Sequence, residues 1–395
     1  MSGPLTGVRI ADLSQMFSGP VATAQLADQG ANVVKIEPPG VGDQLRALPS
    51  FSKGGMNSAV ASVNRGKKSI VLDFSRDYGL EIARKLIAGS DVLVQNFRPG
   101  VMKRIGLDLD ELRRLDPRLI TVSISGYGLT GPLSHLPVFD PIIQGITGHV
   151  AVQVNPEIPF PDLVRNAVVD KATAAYVAQA VTAALFHREK SGEGQHIDIS
   201  MIDASLNFFW PDGMQPETFL DDDVSPGRTL AETLSLTECA DGKVIYFAGT
   251  LDQLMRLSAA LGHPEWCEDE RFNSIASLMA NFETYGGMIR EAFAKLSVND
   301  AISALNEGDI PCGEITSLAD VPKHPQIVAT KSIVEFEHPV VGRVRQPVPA
   351  ARFSSTPSDP SWILPMPGDH TDEILSSAGF DNEEIASFRE SGAVA

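Results

Sequence analysis

The first forty residues alternate between strand-like and helix-like segments, and this alternation limits the folds open to the chain. The run VRIADL (8–13) is apolar and partly β-branched, GPVATAQLADQG (19–30) is typical of a helix, and NVVKIE (32–37) is again strand-like. A strand, a helix and a second strand in this order form a βαβ unit, whose strands lie parallel. The pattern therefore predicts an α/β fold built on a parallel sheet.

The same alternation continues along the chain and then changes character. Strands are predicted at 68–74, 91–97, 118–125 and 194–201, and helices at 78–89, 109–115 and about 171–190. Residues 211–230 are rich in Pro, Gly and Asp, which is typical of a linker or an exposed loop. A second region follows, with a strand at 242–249, helices near 251–261, 280–296 and 298–306, strand-like sequence after about 330 and a short final helix near 382–390.

The acidic composition excludes some classes of partner. The chain has 32 basic and 50 acidic residues and a net charge of -18, which disfavours nonspecific binding to nucleic acid or to anionic membranes. A polyanionic ligand would need a local basic site. The least charged stretch, between Lys171 and His187, is shorter than the ~20 apolar residues that span a bilayer. We therefore expect no nucleic-acid partner and no membrane partner.

The cysteines and the N-terminus indicate the compartment. Cys239, Cys267 and Cys312 are widely spaced and odd in number, so they predict neither a disulfide framework nor a zinc site. Arg9 and Asp12 stand where a signal peptide would have its apolar core. We expect a cytoplasmic protein without a bound metal.

One candidate ligand site, for a dinucleotide, lacks its motif. Glu37 ends the second strand, roughly where a dinucleotide-binding fold places its ribose-binding carboxylate. However, SQMFSGP (14–20) offers a single glycine before the first helix instead of GxGxxG, and PGVGD (39–43) follows the second strand. The sequence therefore argues against NAD or FAD.

A basic segment is the second candidate. In NFRPGVMKRIG (96–106), the cations Arg98, Lys103 and Arg104 follow a predicted strand end, beside Asn96 and Phe97. Arginine forks suit phosphate groups, and ligands bind at the carboxyl ends of parallel strands. The alternative is an ordinary solvated helix start with surface charges.

Two further features are ambiguous when each is taken alone. SISGYGLTGP (123–132) is a glycine-rich loop after a strand, and such loops are often only turns. Asp170 stands at the start of the predicted helix 171–190, where an aspartate is a favoured N-cap. A carboxylate there can also be a covalent nucleophile.

Together, several motifs resemble the family III CoA transferases of the CaiB/BaiF type. The resemblance rests on the order and spacing of GVRIADLSQMFSGPVATAQLADQGANVVKIEPPGVGD, NRGKKSIVLDF, NFRPGVMKRIG, SGYGLTGP, FDPIIQGITG and REKSGEGQHIDISMIDASL, and it covers nearly the whole chain. It implies a Rossmann-like large domain from residues 1–215 and 331–395, a smaller α+β domain at 225–330, and an interlocked homodimer.

The resemblance also implies the site residues. Asp170 matches the family's aspartate nucleophile. The positions that match the family's contacts with CoA are Phe17, Leu72, Asn96, Phe97, Arg98, Arg104, Phe139 and Asp140, and Lys103 is added from the basic segment. The family often has basic residues where this chain has Pro38 and Pro137, so we expect Lys103 or Arg104 to supply phosphate contacts instead.

The activity that the resemblance implies is CoA transfer from an acyl-CoA to a carboxylic acid. The expected path runs through an aspartyl–acyl anhydride and an aspartyl-CoA thioester on Asp170. We expect the helix N-terminus to keep this carboxylate ionised, and backbone N–H groups of a glycine-rich loop to stabilise the oxyanions. No tetraglycine run precedes the second region, which makes formate and oxalate less favoured acceptors.

Two alternative functions stay open at this point. An α-methylacyl-CoA racemase of the same superfamily moves a proton with an acid/base pair, and its histidine position is occupied here by Phe139. His135 and His149 lie nearby but out of register. The other alternative is a catalytically silent CoA-binding protein, against which the intact Asp170 argues.

Overall fold

A computed structural model describes residues 2–153, 161–225, 227–358 and 363–395. By its internal contacts the chain divides into two compact units. The first combines the residues up to Thr218 with Ser332–Ala395, and the second is Phe219–Lys331. The chain therefore leaves the first unit once and returns to it.

A parallel sheet of six strands forms the centre of the first unit. The strands are β1 (Arg9–Asp12), β2 (Asn32–Glu37), β3 (Lys68–Val71), β4 (Val92–Gln95), β5 (Ile120–Ser125) and β6 (His196–Ser200). Their spatial order is β3-β2-β1-β4-β5-β6, and each neighbouring pair is parallel. This is the doubly wound order, in which the connections reverse direction between β1 and β4. The predicted parallel α/β sheet is confirmed.

Helices cover both faces of this sheet. In chain order they are α1 (Ser18–Asp28), α2 (Ser58–Val63), α3 (Asp77–Ala88), α4 (Val101–Arg104), α5 (Leu109–Leu115), α6 (Asp140–Ile146), α7 (Val168–Ser191) and α8 (Met201–Gly213). On one face, α1 and α7 pack on strand residues such as Ile10 and Val92. On the other face, α3 packs on residues such as Ala11 and Leu93. Successive strand residues point to opposite faces, so these near-continuous apolar strands fill both layers.

The second unit contains a three-stranded antiparallel sheet and short helices. Its strands are β7 (Thr237–Cys239), β8 (Gly242–Tyr246) and β9 (Cys312–Glu314), with β8 in the middle. The helices are α9 (Leu230–Thr233), α10 (Leu251–Ala260), α11 (Ile275–Ala280), α12 (Phe282–Phe293), α13 (Val298–Glu307) and α14 (Pro325–Thr330). Val244, Leu257 and Phe293 are fully buried in its core. The unit thus has an apolar core of its own.

The C-terminal part of the first unit begins with a hairpin. Strands β10 (Ile333–His338) and β11 (Gly342–Pro347) pair antiparallel, and helices α15 (Thr371–Ser377) and α16 (Asn382–Glu390) follow. Both helices pack on the sheet face that α3 covers. Near the end of the chain, Val394 forms an isolated bridge with Leu72, which immediately follows β3.

Two predictions about loops and helices need correction. The segment 211–230 is predicted as a linker or loop, but its first residues, Pro211 to Gly213, complete the unpredicted helix α8. Helix α15 was also not predicted. Among the residues with described positions, no helix is long and apolar enough to cross a membrane.

Candidate active site

Asp170 lies inside the first turn of α7 and does not cap it. The helix begins at Val168, its N-cap is Ala167, and no side chain caps it. The prediction of an N-cap role is therefore wrong. The helix starts earlier than its β-branched beginning indicated because Val169 is buried against Ile143 and Met201, and burial of this side chain outweighs its weak preference for strand.

Asp170 meets the start of a second helix. The Ser18 hydroxyl, on the first residue of α1, donates a hydrogen bond to Oδ1 of Asp170. Helices α1 and α7 pack closely through small side chains, among them Ala22, Ala174 and Ala178. Small residues let the two backbones approach, so the packing brings two residues together that are 152 positions apart in the sequence.

Asp140 holds the backbone beside the candidate nucleophile. Its Oδ2 accepts a hydrogen bond from the backbone N–H of Asp170 at 2.9 Å. Its Oδ1 accepts one from Nε2 of Gln144 at 2.5 Å. Gln144 in turn accepts a hydrogen bond from the backbone N–H of Val164 at 3.0 Å. Asp140 is 4% exposed, so α6 and the segment before α7 are linked through buried polar contacts.

The environment of Asp170 raises its pKa to about 6. Burial is the largest cause, and the nearby charge of Asp140 acts in the same direction, whereas the hydroxyl and the backbone N–H of Ser18 oppose them. That the helix terminus helps to keep this carboxylate ionised remains a prediction. About nine-tenths of the carboxylates with such a pKa are still ionised at pH 7. Asp170 is thus a partly buried group that remains available as an anion.

Two buried ion pairs support the loop that precedes Ser18. Nζ of Lys67 donates to Oδ2 of Asp12, to the carbonyl of Pro20 and to Oδ1 of Asn64, each at 2.9 Å. The side chains of Lys67 and Asp12 are both fully buried. Burial raises the pKa of Asp12, but the ammonium groups of Lys67 and Lys35 outweigh it and hold that pKa well below its usual range. Lys67 thereby ties the end of β1 to the first turn of α1.

A second buried pair holds the same loop from the other side. Nζ of Lys35 lies 3.0 Å from Oδ2 of Asp43 and also donates to the carbonyl of Ser14. Oδ1 of Asp43 accepts a hydrogen bond from the backbone N–H of Met16 at 2.9 Å. Met16 has a φ of 65°, a left-handed conformation that is uncommon for a side chain of this size. The ion pair therefore supports a backbone conformation that a free loop would rarely adopt.

Glu37 is engaged by protein groups. Its carboxylate receives two hydrogen bonds from Arg46, at 2.7 and 2.8 Å, and one from the backbone N–H of Asp43 at 2.9 Å. The Ser69 hydroxyl donates to it at 3.1 Å. The Glu37 carboxylate, which a ribose would need as its partner, is therefore already engaged in these hydrogen bonds. This agrees with the missing dinucleotide motif.

The basic segment lies at the carboxyl end of β4, beside the loop before α1. Asn96 accepts a hydrogen bond from the backbone N–H of Gln15 and donates one to the carbonyl of Gln15, at 2.8 and 2.7 Å. Arg98, Lys103 and Arg104 are exposed, and Lys103 lies 3.3 Å from Asp108. The side chain of Asn96 therefore holds the loop, while the three cations face solvent.

The other predicted CoA contacts differ in exposure. Phe17 is half-buried in a small apolar cluster, and Phe97 is half-buried against the main core. Phe139 is 57% exposed. Leu72 is fully buried, so contact between CoA and this residue would require the chain to open there. All four remain predictions.

The two histidines do not form an acid/base pair. His135 is exposed. His149 is buried, contacts Phe209 in a tilted arrangement with the ring centroids 4.5 Å apart, and has its Nε2 3.2 Å from the Ser205 hydroxyl. Burial lowers the pKa of His149, which favours its neutral form.

In the described part of the chain, no group of three or more His, Cys, Asp or Glu residues is placed to hold a metal.

Several residues of this site were missed by sequence reasoning. Of Ser18, Gln144, Asp12 and Lys67, only Asp12 stands in a predicted element, and no local pattern distinguishes the four from ordinary polar residues. Ser18 falls in the glycine-poor turn SQMFSGP, which was considered only for its missing dinucleotide motif. Its significance depends on contact with a distant helix.

Comparison with known proteins identifies the family. The chain matches the family model described as CoA-transferase family III over residues 5–371. It is 33% identical over 391 residues to a succinate–glutarate CoA-transferase of Agrobacterium fabrum (strain C58), covering 94% of this chain and 95% of that protein. It is 30% identical over 426 residues to a formyl-CoA:oxalate CoA-transferase of Bradyrhizobium diazoefficiens, covering 100% and 98%.

A solved structure gives the same result. A CaiB/BaiF family protein from Brucella suis matches with a TM-score of 0.81 and 29% identity, covering 96% of this chain and 100% of that one. The chain therefore belongs to CoA-transferase family III and is an enzyme of that class.

Proposed function

We propose that this enzyme moves CoA from an acyl-CoA donor to a carboxylic acid, with Asp170 as the covalent nucleophile. The observation that carries this proposal is the setting of Asp170. Its carboxylate lies where α1 and α7 meet, and burial raises its pKa to about 6. An ionised carboxylate that has lost part of its hydration shell is a stronger nucleophile than one in bulk water.

Each step of the proposed reaction exchanges bonds at one carbonyl carbon. Oδ2 of Asp170 attacks the thioester carbon, the C–S bond breaks, and CoA leaves as a thiolate. The thiolate then attacks Cγ of the aspartyl–acyl anhydride, the donor acid leaves as a carboxylate, and an aspartyl-CoA thioester remains. An acceptor carboxylate attacks this thioester and releases the thiolate. The thiolate then attacks the acceptor's carbon in the new anhydride, the bond from that carbon to the aspartyl oxygen breaks, and the new acyl-CoA and the Asp170 carboxylate are formed. These steps need no net proton transfer, so no acid/base pair is required.

The exposed cations of the basic segment are the proposed phosphate ligands. Arg98, Lys103 and Arg104 stand beyond the carboxyl end of β4, next to the point where the sheet connections reverse. Ligands of doubly wound sheets bind in the crevice at this point. Because the chain has proline at positions 38 and 137, these cations would carry much of the attraction for the phosphates of CoA. Phe17, Leu72, Asn96, Phe97, Phe139 and Asp140 are the other proposed contacts.

Small dicarboxylates are the first acceptors to test. Relatives that match most of this chain are named for succinate and glutarate, and others for oxalate. The missing tetraglycine run led us to expect oxalate to be less favoured. A panel containing succinate, glutarate and oxalate, each with succinyl-CoA or acetyl-CoA as donor, would rank these acids by the acyl-CoA products that mass spectrometry detects.

We also propose an interlocked homodimer in the cytoplasm, with domains at 1–215 plus 331–395 and at 225–330. Helices α6 and α8 contact each other, and they leave Ile142, Ile146 and Phe208 about half exposed. Exposed apolar groups of this kind suit coverage by a second copy. The three cysteines are free, which fits a reducing compartment. Light scattering should give twice the mass of the chain.

Substitution of the nucleophile tests the proposed chemistry. Asp170→Asn keeps the shape of the side chain and should abolish CoA transfer while CoA binding persists. Asp77→Asn is the matched control, because Asp77 is an exposed aspartate in the first turn of α3. Turnover by Asp170→Asn within tenfold of the parent enzyme would show that Asp170 is not the nucleophile.

The same assays separate the alternatives. Phe139 cannot carry a proton, so a 2-methylacyl-CoA should not exchange its α-proton for deuterium in heavy water. Rapid exchange without CoA movement between acids would favour a racemase. Binding of CoA without transfer to any acid, and without a covalent adduct, would favour a catalytically silent protein.

A further inference from the structure

Ser18 places a hydroxyl group on the reacting carboxylate. It is 4% exposed, and its Oγ donates to Oδ1 of Asp170. The N-cap of α1 is Phe17, so this hydroxyl does not cap its own helix. The hydroxyl and the backbone N–H of Ser18 both favour negative charge on Asp170. Two donors of one residue therefore act on the carboxylate that the proposed function makes the nucleophile.

The position of Ser18 is held before any substrate arrives. Asn96 binds both backbone groups of Gln15, and Asp43 accepts the backbone N–H of Met16. On the other side, Lys67 binds the carbonyl of Pro20. These contacts hold the chain on both sides of Ser18. A donor fixed in this way needs no reorganisation when charge develops beside it.

We propose that the Ser18 hydroxyl is the oxyanion donor for the tetrahedral intermediates centred on Cγ of Asp170. This inference rests on the proposed function. When the CoA thiolate attacks Cγ of the anhydride, the π electrons of the Cγ=Oδ1 bond move to Oδ1, which becomes an oxyanion. Ser18 donates its hydrogen bond to this oxygen and keeps its proton. The carbonyl then re-forms, the bond between Cγ and Oδ2 breaks, and the donor acid leaves as a carboxylate.

The same donor serves the acceptor half of the reaction. When the acceptor carboxylate attacks the aspartyl-CoA thioester, negative charge again collects on Oδ1, and it is relieved when the Cγ–S bond breaks and the thiolate leaves. The first attack on the donor thioester is different, because charge leaves the Asp170 carboxylate and develops on the oxygen of the donor. Ser18 should therefore accelerate the steps at Cγ and not the first step.

This difference can be tested by measuring how the enzyme divides between its acyl adduct and its CoA adduct. With acyl-CoA alone and rapid acid quenching, intact-protein mass spectrometry distinguishes the acyl adduct from the heavier CoA adduct on the enzyme. In Ser18→Ala, we expect conversion of the acyl adduct to the CoA adduct to slow roughly 100-fold, as for loss of one oxyanion donor. The acyl adduct should therefore accumulate, whereas at a pH well above the pKa of Asp170 its formation should change much less.

Two further variants separate hydrogen bonding from packing. Ser18→Cys keeps a group of similar size but a weaker donor, so it should show the same accumulation as Ser18→Ala. Ser62→Ala removes an exposed serine hydroxyl of α2 and should leave the partition unchanged. Melting temperatures near that of the parent would confirm that all three variants fold.

Each outcome bears on a separate claim. If Ser18→Ala converts the acyl adduct to the CoA adduct as fast as the parent enzyme, Ser18 is not the oxyanion donor. The same conclusion follows if Ser18→Cys converts it as fast as the parent while Ser18→Ala is slow. Neither result would contradict the assignment of Asp170 as the nucleophile. Absence of any adduct in the parent enzyme, together with turnover by Asp170→Asn, would instead overturn the proposed function. Accumulation of the acyl adduct in both variants would support the oxyanion role.

Discussion

Asp140 accepts the backbone N–H of Asp170 at 2.9 Å and places a second carboxylate beside the proposed nucleophile. The charge of Asp140 raises the pKa of Asp170, after burial as the main cause. The contact therefore positions the first turn of α7 and also makes its carboxylate easier to protonate. These two effects can be separated by removing the charge of Asp140 and keeping its shape.

Asp140→Asn should move the acid limb of the pH profile to lower pH. In the parent enzyme we expect kcat/KM to fall below about pH 6, where Asp170 becomes protonated. Without the like charge of Asp140, the pKa of Asp170 decreases, so activity should persist further into acid. Asp162→Asn, at an exposed aspartate paired with Arg165, should leave the profile unchanged. An acid limb that stays in place or rises in Asp140→Asn would contradict this account.

The raised pKa of Asp170 makes the stability of the protein depend on pH. Its folded pKa of about 6 exceeds the usual value of 3.8, so the folded state binds more protons between these values. The free energy of unfolding should therefore fall as the pH rises from about 4 to about 6, by at most about 3 kcal/mol for this group. Asp170→Asn should lack this loss and gain stability relative to the parent at pH 7.5.

Urea unfolding of the parent and of Asp170→Asn at pH 4.5 and pH 7.5 measures this effect. The difference in unfolding free energy should be larger at pH 7.5. If the parent and the variant differed in unfolding free energy by the same amount at both pH values, or if the variant were less stable than the parent at pH 7.5, burial would not penalise the ionised carboxylate. Because Asp170 is not the N-cap, we expect no separate loss from a missing cap.

Lys67→Met should be strongly destabilising because it leaves the carboxylate of Asp12 buried without its ion pair. Loss of one partner of a buried pair typically costs about 3–5 kcal/mol. Burial lowers the pKa of Lys67 to about 8, although Asp12 opposes this change, so Lys67 is mainly charged at neutral pH. Because Lys67 also binds Pro20 in the first turn of α1, CoA transfer should fall as well.

The neighbouring lysine provides the control for this prediction. Lys68 pairs with Glu373 at the surface, and such pairs contribute about 0–1 kcal/mol. Urea unfolding should therefore give a much smaller loss for Lys68→Met than for Lys67→Met. The double variant Asp12→Asn/Lys67→Met should recover part of the loss, since no unpaired charge remains. Similar losses in the two single lysine variants would refute the importance of the buried pair.

Arg104→Ala should weaken CoA binding. A hydrogen bond to a charged group contributes about 1.5–3 kcal/mol, so the Kd should rise roughly 10- to 100-fold. The defect should shrink at high salt, because Arg104 is exposed. Arg343→Ala, on the hairpin where Arg343 pairs with Glu335, is the control. An unchanged Kd by calorimetry for Arg104→Ala would remove Arg104 from the phosphate site.

The sequence by itself determined the layered α/β fold and the position of Asp170 near the start of a long helix. Strand and helix periodicities depend on neighbouring residues, so β1, α1 and β2 could be predicted within a few residues of their observed bounds. Exact helix starts could not, because the burial of Val169 moved the beginning of α7 and with it the cap. The end of helix α8 was assigned to a loop because Pro211, Asp212 and Gly213 are residues typical of loops.

Only the tertiary structure decided the environment of the proposed nucleophile. Ser18 reaches Asp170 because α1 and α7 pack on the same face of the sheet, and Lys67 reaches Asp12 because the sheet places the start of β3 near the end of β1. Neither contact leaves a local pattern, since each joins residues that are distant in the chain. Burial and nearby charge then set the pKa of Asp170, and both arise only when the helices assemble on the sheet.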